Sequence, residues 1–157
     1  MALDTVEAAL GAADVVVVVP DSLAGDFAAL GARTVTDPGG GLDAAISHGL
    51  LAVDPTRGSA VLLGDLPGLQ PAELSAALAL ATERVMVADA DGTGTVLIAA
   101  PPGTAHDIAF GEGSRARHLA LGYRELLEPW PGLRRDVDRP EHLGGLLGTR
   151  TRAIVER

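Results

Sequence analysis

Short apolar runs, separated by segments with helical patterning, are the feature that most limits the folds open to this chain. Residues 15–19 are five consecutive valines, and similar runs follow at residues 61–63, 85–88 and 96–100. A run without polar alternation is typical of a strand buried on both faces of a parallel sheet. Helices are predicted between and around these strands, at residues 3–12, 22–30, 42–53, 71–81 and 114–121, with a last helix opening near residue 140. The sequence therefore predicts an α/β fold, a mostly parallel sheet flanked by helices.

Length and composition fit a single domain spanning residues 1–157. The chain is 47% hydrophobic but only 3% aromatic, so its core is expected to consist of Val, Leu and Ala. It has no cysteine, which excludes disulfides and thiolate metal sites. No membrane segment or signal peptide is evident, and a cytoplasmic protein is expected. The net charge of −9 argues against nucleic-acid binding, and all twelve basic residues are arginine.

Asp65 lies at the carboxyl end of the predicted strand at residues 61–63, in the sequence Gly64-Asp65-Leu66-Pro67. In open α/β sheets, this end of the strands is where ligands bind. A carboxylate there suits Mg²⁺, which takes oxygen ligands and leaves room for phosphates. The alternative is a turn acid that caps the helix beginning near Pro71, and the segment alone does not decide between the two.

Asp136 and Asp138 are predicted to share one face of a short extended segment at residues 133–138, because strand side chains alternate. Two adjacent carboxylates repel each other unless a cation lies between them. A surface ion-pair network with Arg134 and Arg135 is one interpretation. The other is that Asp65, Asp136 and Asp138 together bind two Mg²⁺ ions, as phosphoryl and nucleotidyl transfer require.

Two glycine-rich segments are candidates for anion binding. Asp91-Gly92-Thr93-Gly94-Thr95 lies between strands and brings backbone N–H groups within reach of an anion. Phe110-Gly111-Glu112-Gly113-Ser114 ends at a predicted helix start, where Ser114 is either an N-cap or a ligand for an anion. Arg117 and His118 follow one turn later and could face the same pocket, although a surface position for His118 is at least equally expected. A ligand-free loop remains the alternative for both segments.

These motifs, in this order, resemble the guanylyltransferases of coenzyme F-420 biosynthesis. The resemblance rests on Gly64-Asp65-Leu66-Pro67, on residues 91–95, on Phe110-Gly111 with Ser114 and Arg117-His118, and on Pro131-Gly132-Leu133 followed by Asp136-Val137-Asp138. Members of that family join GTP to phosphoenolpyruvate, or in other lineages to 2-phospho-L-lactate, and release pyrophosphate. Phosphoenolpyruvate is the preferred acceptor here, because the motifs look most like the bacterial branch.

The resemblance implies a nucleotide-diphospho-sugar-transferase-like, Rossmann-like three-layer fold. It also implies that Asp65, Asp136 and Asp138 bind Mg²⁺, and that Thr95, Gly111 and Ser114 hold the phosphoenolpyruvate carboxylate and phosphate. One departure lies in the segment Gly41-Leu42-Asp43-Ala44, where the family usually has Asn at the position of Asp43. An acid there could repel a nucleotide phosphate or alter a contact to ribose or base.

The second departure is at the front of the chain, which begins where the family's first helix is already under way. The expected first strand and nucleotide loop would lie before it, with the strand between those at residues 15–19 and 61–63. A start assigned too late, a strand supplied by a second chain and a degenerate remnant are the three explanations considered. The open strand edges favour an oligomer over a monomer. The competing functions are a non-catalytic or partner-dependent module that keeps the acceptor site, and a nucleotidyltransferase of the same fold with another acceptor.

Overall fold

The structure, a computed structural model, describes residues 1–135 of the chain, in which strands and helices alternate. The helices are α1 (Ala2–Leu10), α2 (Asp21–Ala28), α3 (Leu42–Leu50), α4 (Pro71–Ala79), α5 (Ser114–Ala120) and α6 (Pro131–Arg134). The strands are β1 (Val16–Val19), β2 (Arg33–Thr36), β3 (Ser59–Leu62), β4 (Val85–Ala88), β5 (Thr95–Ala100) and β6 (Arg124–Glu125). The predicted α/β class is confirmed. Within residues 1–135 no helix combines the length and apolarity needed to cross a membrane.

The strands form a parallel pair, β1 with β2, and a four-stranded sheet in the order β3-β5-β4-β6. In the larger sheet β6 runs parallel to β4, whereas β5 is antiparallel to both β3 and β4. Strands β3, β4 and β6 therefore point the same way, and β5 is reversed. The carboxyl ends of β3 and β4 consequently lie at the same edge as the start of β5. This edge carries Asp65, the loop at residues 89–94 and Thr95.

The central strands β4 and β5 are buried at every position, as their uninterrupted apolar runs predict. Their side chains alternate between two clusters on opposite faces of the sheet. One cluster joins Val85, Val87, Leu97 and Ala99 to Leu74 and Ala77 of α4. The other joins Met86, Ala88 and Ile98 to Ile46 of α3, Phe110 and Tyr123. Helical residues thus pack on both faces of the sheet, which is the expected layered arrangement.

A cavity of about 380 Å³ lies between β1 and β3. Residues 15–18 line one side and residues 60–63 the other, with further contributions from α1, α3 and α4. In the described part of the chain, β1 pairs with β2 and β3 pairs with β5, and neither strand has a second partner. That a further strand belongs between β1 and β3 stays a prediction.

Four local predictions were wrong. The strand at residue 61 was expected to be buried among parallel neighbours, but β3 is half-buried and pairs antiparallel with β5. The helix predicted from residue 22 begins one residue earlier, at Asp21 after Pro20. Ser114 is the first residue of α5 rather than its cap, because Gly113, at φ +70°, takes the cap position. The piece expected to be extended from residue 133 instead begins in helix α6, since Pro131 is preorganised for a first helical turn.

Candidate active site

Asp65 lies in the loop that follows β3, half-buried, with its backbone held from α1. The Thr5 hydroxyl donates a hydrogen bond to the Gly64 carbonyl oxygen at 3.0 Å and accepts one from the Leu66 N–H at 3.1 Å. Thr5 is only 1% exposed and Leu66 is fully buried, so these contacts are shielded from water. Both peptide groups that flank Asp65 are therefore fixed by one side chain. Sequence reasoning missed Thr5, because the pattern of α1 shows only its apolar spacing.

The predicted metal site is described only in part. Asp136 and Asp138 lie outside the described residues, and within residues 1–135 no group of three or more His, Asp or Glu side chains is close enough to hold a metal ion. Asp65 supplies the hard carboxylate oxygen that Mg²⁺ prefers, at the ligand-binding edge of the sheet. Its donor chemistry fits Mg²⁺, and the complete ligand set stays a prediction.

The glycine-rich loop between β4 and β5 is organised around Asp89. The Asp89 carboxylate accepts hydrogen bonds from the Thr93 N–H at 2.9 Å and from the Gly94 N–H at 2.7 Å. A Cβ atom at Gly94 would lie 2.3 Å from Asp89 Oδ2, so only glycine allows this approach. These two N–H groups are therefore occupied by a carboxylate of the chain itself, and anion binding by the rest of the loop stays a prediction.

Thr95 and Ser114, two of the three predicted substrate-binding residues, lie on elements that pack together. Thr95 is the first residue of β5 and is 2% exposed, while Ser114 is the first residue of α5 and is 1% exposed. The two elements are joined by His118, whose Nδ1 lies 2.9 Å from Thr95 Oγ1. Burial of two hydroxyl groups at a ligand-binding edge is a costly arrangement unless they have acceptors. The structure thus brings the two residues together, and their role in binding a substrate stays a prediction.

Gly111, the third predicted substrate-binding residue, lies in an exposed loop held by Arg117. Its φ of +99° is a backbone conformation that favours glycine. The Arg117 guanidinium donates to the carbonyl oxygens of Ala109 (3.2 Å), Phe110 (2.9 Å) and Glu112 (2.6 Å). Arg117 therefore donates to carbonyl oxygens of the loop itself, whereas the sequence also allowed it to face a ligand.

His118 is fully buried, so the surface position expected for it was wrong. Its ring is packed edge-on against Phe110 and Tyr123, with centroids 5.0 and 5.3 Å away. Burial, followed by the nearby Arg117 charge, lowers the pKa of His118, whereas a hydrogen bond with the Ser114 backbone and, more weakly, the Asp43 charge act in the opposite direction. The imidazole is accordingly neutral near pH 7. The charge at Asp43 thus acts on this part of the site.

Several arginines that could have bound substrate anions are engaged within the protein. Arg115 forms an ion pair with Glu125 at 2.8 Å, and Arg124 pairs with Glu83 at 2.6 Å. Arg84 pairs with Asp107, and Arg134 donates to the carbonyl oxygens of Ala88 and Leu126. These guanidinium groups stabilise loops and the β6 edge. Hydroxyl groups, backbone N–H groups and a cation are left as the means of binding anions at the described edge.

Comparisons with known proteins agree with this arrangement. Residues 1–139 match the MobA-like NTP transferase domain family. A phosphoenolpyruvate guanylyltransferase of Thermomonospora curvata is 48% identical over 172 aligned positions, which cover 100% of this chain and 75% of the relative. A phosphoenolpyruvate guanylyltransferase of Geodermatophilus obscurus is 48% identical, covering 97% of this chain and 75% of the relative. The protein of the same name from Streptomyces coelicolor is 47% identical, covering 99% of this chain and 81% of its own length.

Matches of this extent confirm the family that the sequence motifs indicated. The chain belongs to the MobA-like NTP transferase domain family, in the branch that contains these phosphoenolpyruvate guanylyltransferases.

Proposed function

We propose that this nucleotidyltransferase transfers the guanylyl group of GTP to phosphoenolpyruvate and releases pyrophosphate. The observation that carries the proposal is the identity of 47–48% to phosphoenolpyruvate guanylyltransferases over nearly the whole chain. The layout of the described site supports it, because Asp65 and the two buried hydroxyl groups lie at the ligand-binding edge. With 2-phospho-L-lactate, the same chemistry would give the corresponding lactyl product.

The reaction needs no nucleophile from the protein. A phosphate oxygen of phosphoenolpyruvate attacks the α-phosphorus of GTP, and a new P–O–P linkage forms. The bond from the α-phosphorus to the bridging oxygen of the β-phosphate breaks, and that oxygen leaves as part of pyrophosphate. Catalysis therefore consists of placing the two anions in line and neutralising their charge. When bound, Mg²⁺ would supply this neutralisation of charge.

Each residue then has a defined task. Asp65, with Asp136 and Asp138, would hold the Mg²⁺. The hydroxyl groups of Thr95 and Ser114 donate hydrogen bonds to anionic oxygens of the acceptor, and the backbone at Gly111 approaches it closely. Buried donors serve well here, because a hydrogen bond to a charged oxygen is stronger away from water.

A role in coenzyme F-420 biosynthesis goes with this activity, since the motifs are those of the enzymes that make its phosphodiester precursor. We place the reaction in the cytoplasm, where GTP and phosphoenolpyruvate are available.

The test is pyrophosphate release by the purified chain with GTP, phosphoenolpyruvate and Mg²⁺. Omitting either substrate, or chelating the metal, is expected to stop release. The Asp65→Asn variant keeps the size of the side chain but loses its charge, and it is expected to lower turnover by at least 100-fold, or about 2.7 kcal/mol. Full turnover by Asp65→Asn would remove Asp65 from the metal site.

A further inference from the structure

We propose that His118 is a positioning residue that sets the direction of the Thr95 hydroxyl group in the acceptor site. The inference rests on the proposed function, in which Thr95 binds the acceptor. His118 touches two parts of that site at once: Thr95 on β5, and Ala109 at the start of the loop that contains Gly111.

The hydrogen bonds fix the tautomer of the imidazole. The Ala109 backbone N–H lies 3.3 Å from His118 Nε2, and an amide N–H can only donate. Nε2 must therefore be the unprotonated nitrogen, and the proton of the neutral ring is on Nδ1. The Nδ1–H then faces Thr95 Oγ1 at 2.9 Å as its donor, and the Ser114 backbone shares it.

This direction of donation determines what Thr95 can offer. A threonine hydroxyl has one hydrogen and two acceptor positions. Because Oγ1 accepts from His118, its own hydrogen points elsewhere. Within residues 1–135, His118 is the one hydrogen-bond partner of this hydroxyl. Thr95 is 2% exposed, and a buried donor is normally paired. An anionic oxygen of the acceptor is the partner that the proposed function supplies.

The surroundings keep the imidazole in place. Phe110 and Tyr123 pack edge-on against its ring, and Arg117, the preceding residue, holds the carbonyl oxygens of the same loop. A flipped ring would place a C–H, and a protonated ring an N–H, opposite the Ala109 N–H, and either would lose that contact. His118 therefore connects the loop that contains Gly111 to β5, and Nδ1 is the only ring nitrogen that donates a hydrogen bond.

Two variants of similar polarity separate the contacts of His118. Asparagine carries its amide where Nδ1 lies and can still donate to Thr95, whereas glutamine carries its amide where Nε2 lies and can still accept from Ala109. We expect His118→Gln to raise the KM for phosphoenolpyruvate about tenfold, the value of one lost hydrogen bond, with the KM for GTP within twofold. His118→Asn is expected to stay within threefold of the wild type for both substrates.

A double variant tests whether the effect passes through the hydroxyl group. In a Thr95→Val background there is no hydroxyl to orient, so adding His118→Gln should raise the KM for phosphoenolpyruvate no further. A full tenfold increase in that background, or equal effects of His118→Asn and His118→Gln, would overturn the proposal.

Calorimetric binding of phosphoenolpyruvate to the full chain separates this inference from the proposed function. Wild-type binding without guanylyl transfer would overturn the proposed function alone. Equal affinities of the His118→Asn and His118→Gln variants would overturn the role of His118 alone, and absence of wild-type binding would overturn both.

Discussion

At the scale of single residues, the site depends on side chains that hold the backbone of the residues next to the substrates. Thr5 fixes the peptide groups on both sides of Asp65, and Arg117 holds three carbonyl oxygens around Gly111. Neither needs to touch a substrate to matter, because a displacement of about 1 Å in a reacting group can lower the rate 100-fold. The positions of Asp65 and of the Gly111 loop are thus set by contacts from α1 and α5.

Replacing Thr5 tests this dependence. Thr5→Val keeps the shape of the side chain but leaves the buried Leu66 N–H and the Gly64 carbonyl without their partner. We expect the free energy of unfolding to fall by about 1–3 kcal/mol, and kcat to fall more than tenfold in the protein that remains folded. Thr5→Ser keeps the hydroxyl group and is the matched control. Urea unfolding and steady-state kinetics are the measurements, and a Thr5→Val variant equal to wild type in both would contradict the role of Thr5.

At the scale of secondary-structure elements, most helices and strands could be predicted from the sequence, but the pairing of the strands could not. The valine run and the strands at residues 85–88 and 96–100 were predicted because their apolar runs are short and bounded by turns. The reversal of β5 depends on the loop at residues 89–94, whose geometry is set by the Asp89 carboxylate. The burial of His118 and the reach of Thr5 to Leu66, 61 residues away in sequence, depend on tertiary contacts that no local pattern reports.

Helix α6 packs closely against Gly68 and Glu73, which follow the Asp65 loop in the chain. A Cβ atom at Gly132 would lie 2.2 Å from the Gly68 carbonyl oxygen and 2.5 Å from Glu73 Oε2. Gly132→Ala is therefore expected to force the backbone apart and lower the free energy of unfolding by about 1–3 kcal/mol.

Gly25 in α2 is the matched control for that substitution, since nothing lies within 4 Å of a Cβ atom there. Gly25→Ala is expected to raise the free energy of unfolding by about 0.5–1 kcal/mol, because alanine loses less backbone entropy in a helix. Equal urea midpoints for the Gly132→Ala and Gly25→Ala variants would show that α6 does not pack as described.

At the scale of the whole molecule, an acidic protein has to bind two anionic substrates. The net charge of −9 repels both GTP and phosphoenolpyruvate, and several arginines near the site are already paired with carboxylates. Binding then relies on local donors and on a metal ion held by carboxylates, rather than on a basic surface. This is consistent with the proposed Mg²⁺ dependence.

Two histidines, His118 fully buried and His106 partly buried, make stability depend on pH. Burial lowers the pKa of both His106 and His118 below the usual 6.5. The unfolded chain therefore binds more protons than the folded one below about pH 6.5, and stability must fall with falling pH until the folded-state pKa values are passed. The slope can reach about 1.4 kcal/mol per pH unit for each histidine.

Urea midpoints measured between pH 7.5 and pH 5.5 test this coupling, and we expect them to fall. His118→Asn removes one titrating group, so its midpoint should fall less over the same range. A wild-type midpoint that stays constant from pH 7.5 to pH 5.5 would contradict the lowered pKa of these histidines.

The central claim is the joining of a guanylyl group to phosphoenolpyruvate, and the identity of the product tests it most directly. The purified chain, incubated with GTP, phosphoenolpyruvate and Mg²⁺, is expected to form a species whose ³¹P spectrum shows a new diphosphate linkage and whose mass equals the two substrates minus pyrophosphate. Formation should be lost in the Asp65→Asn variant. Intact GTP and phosphoenolpyruvate after prolonged incubation, or pyrophosphate released without that adduct, would contradict the proposed function.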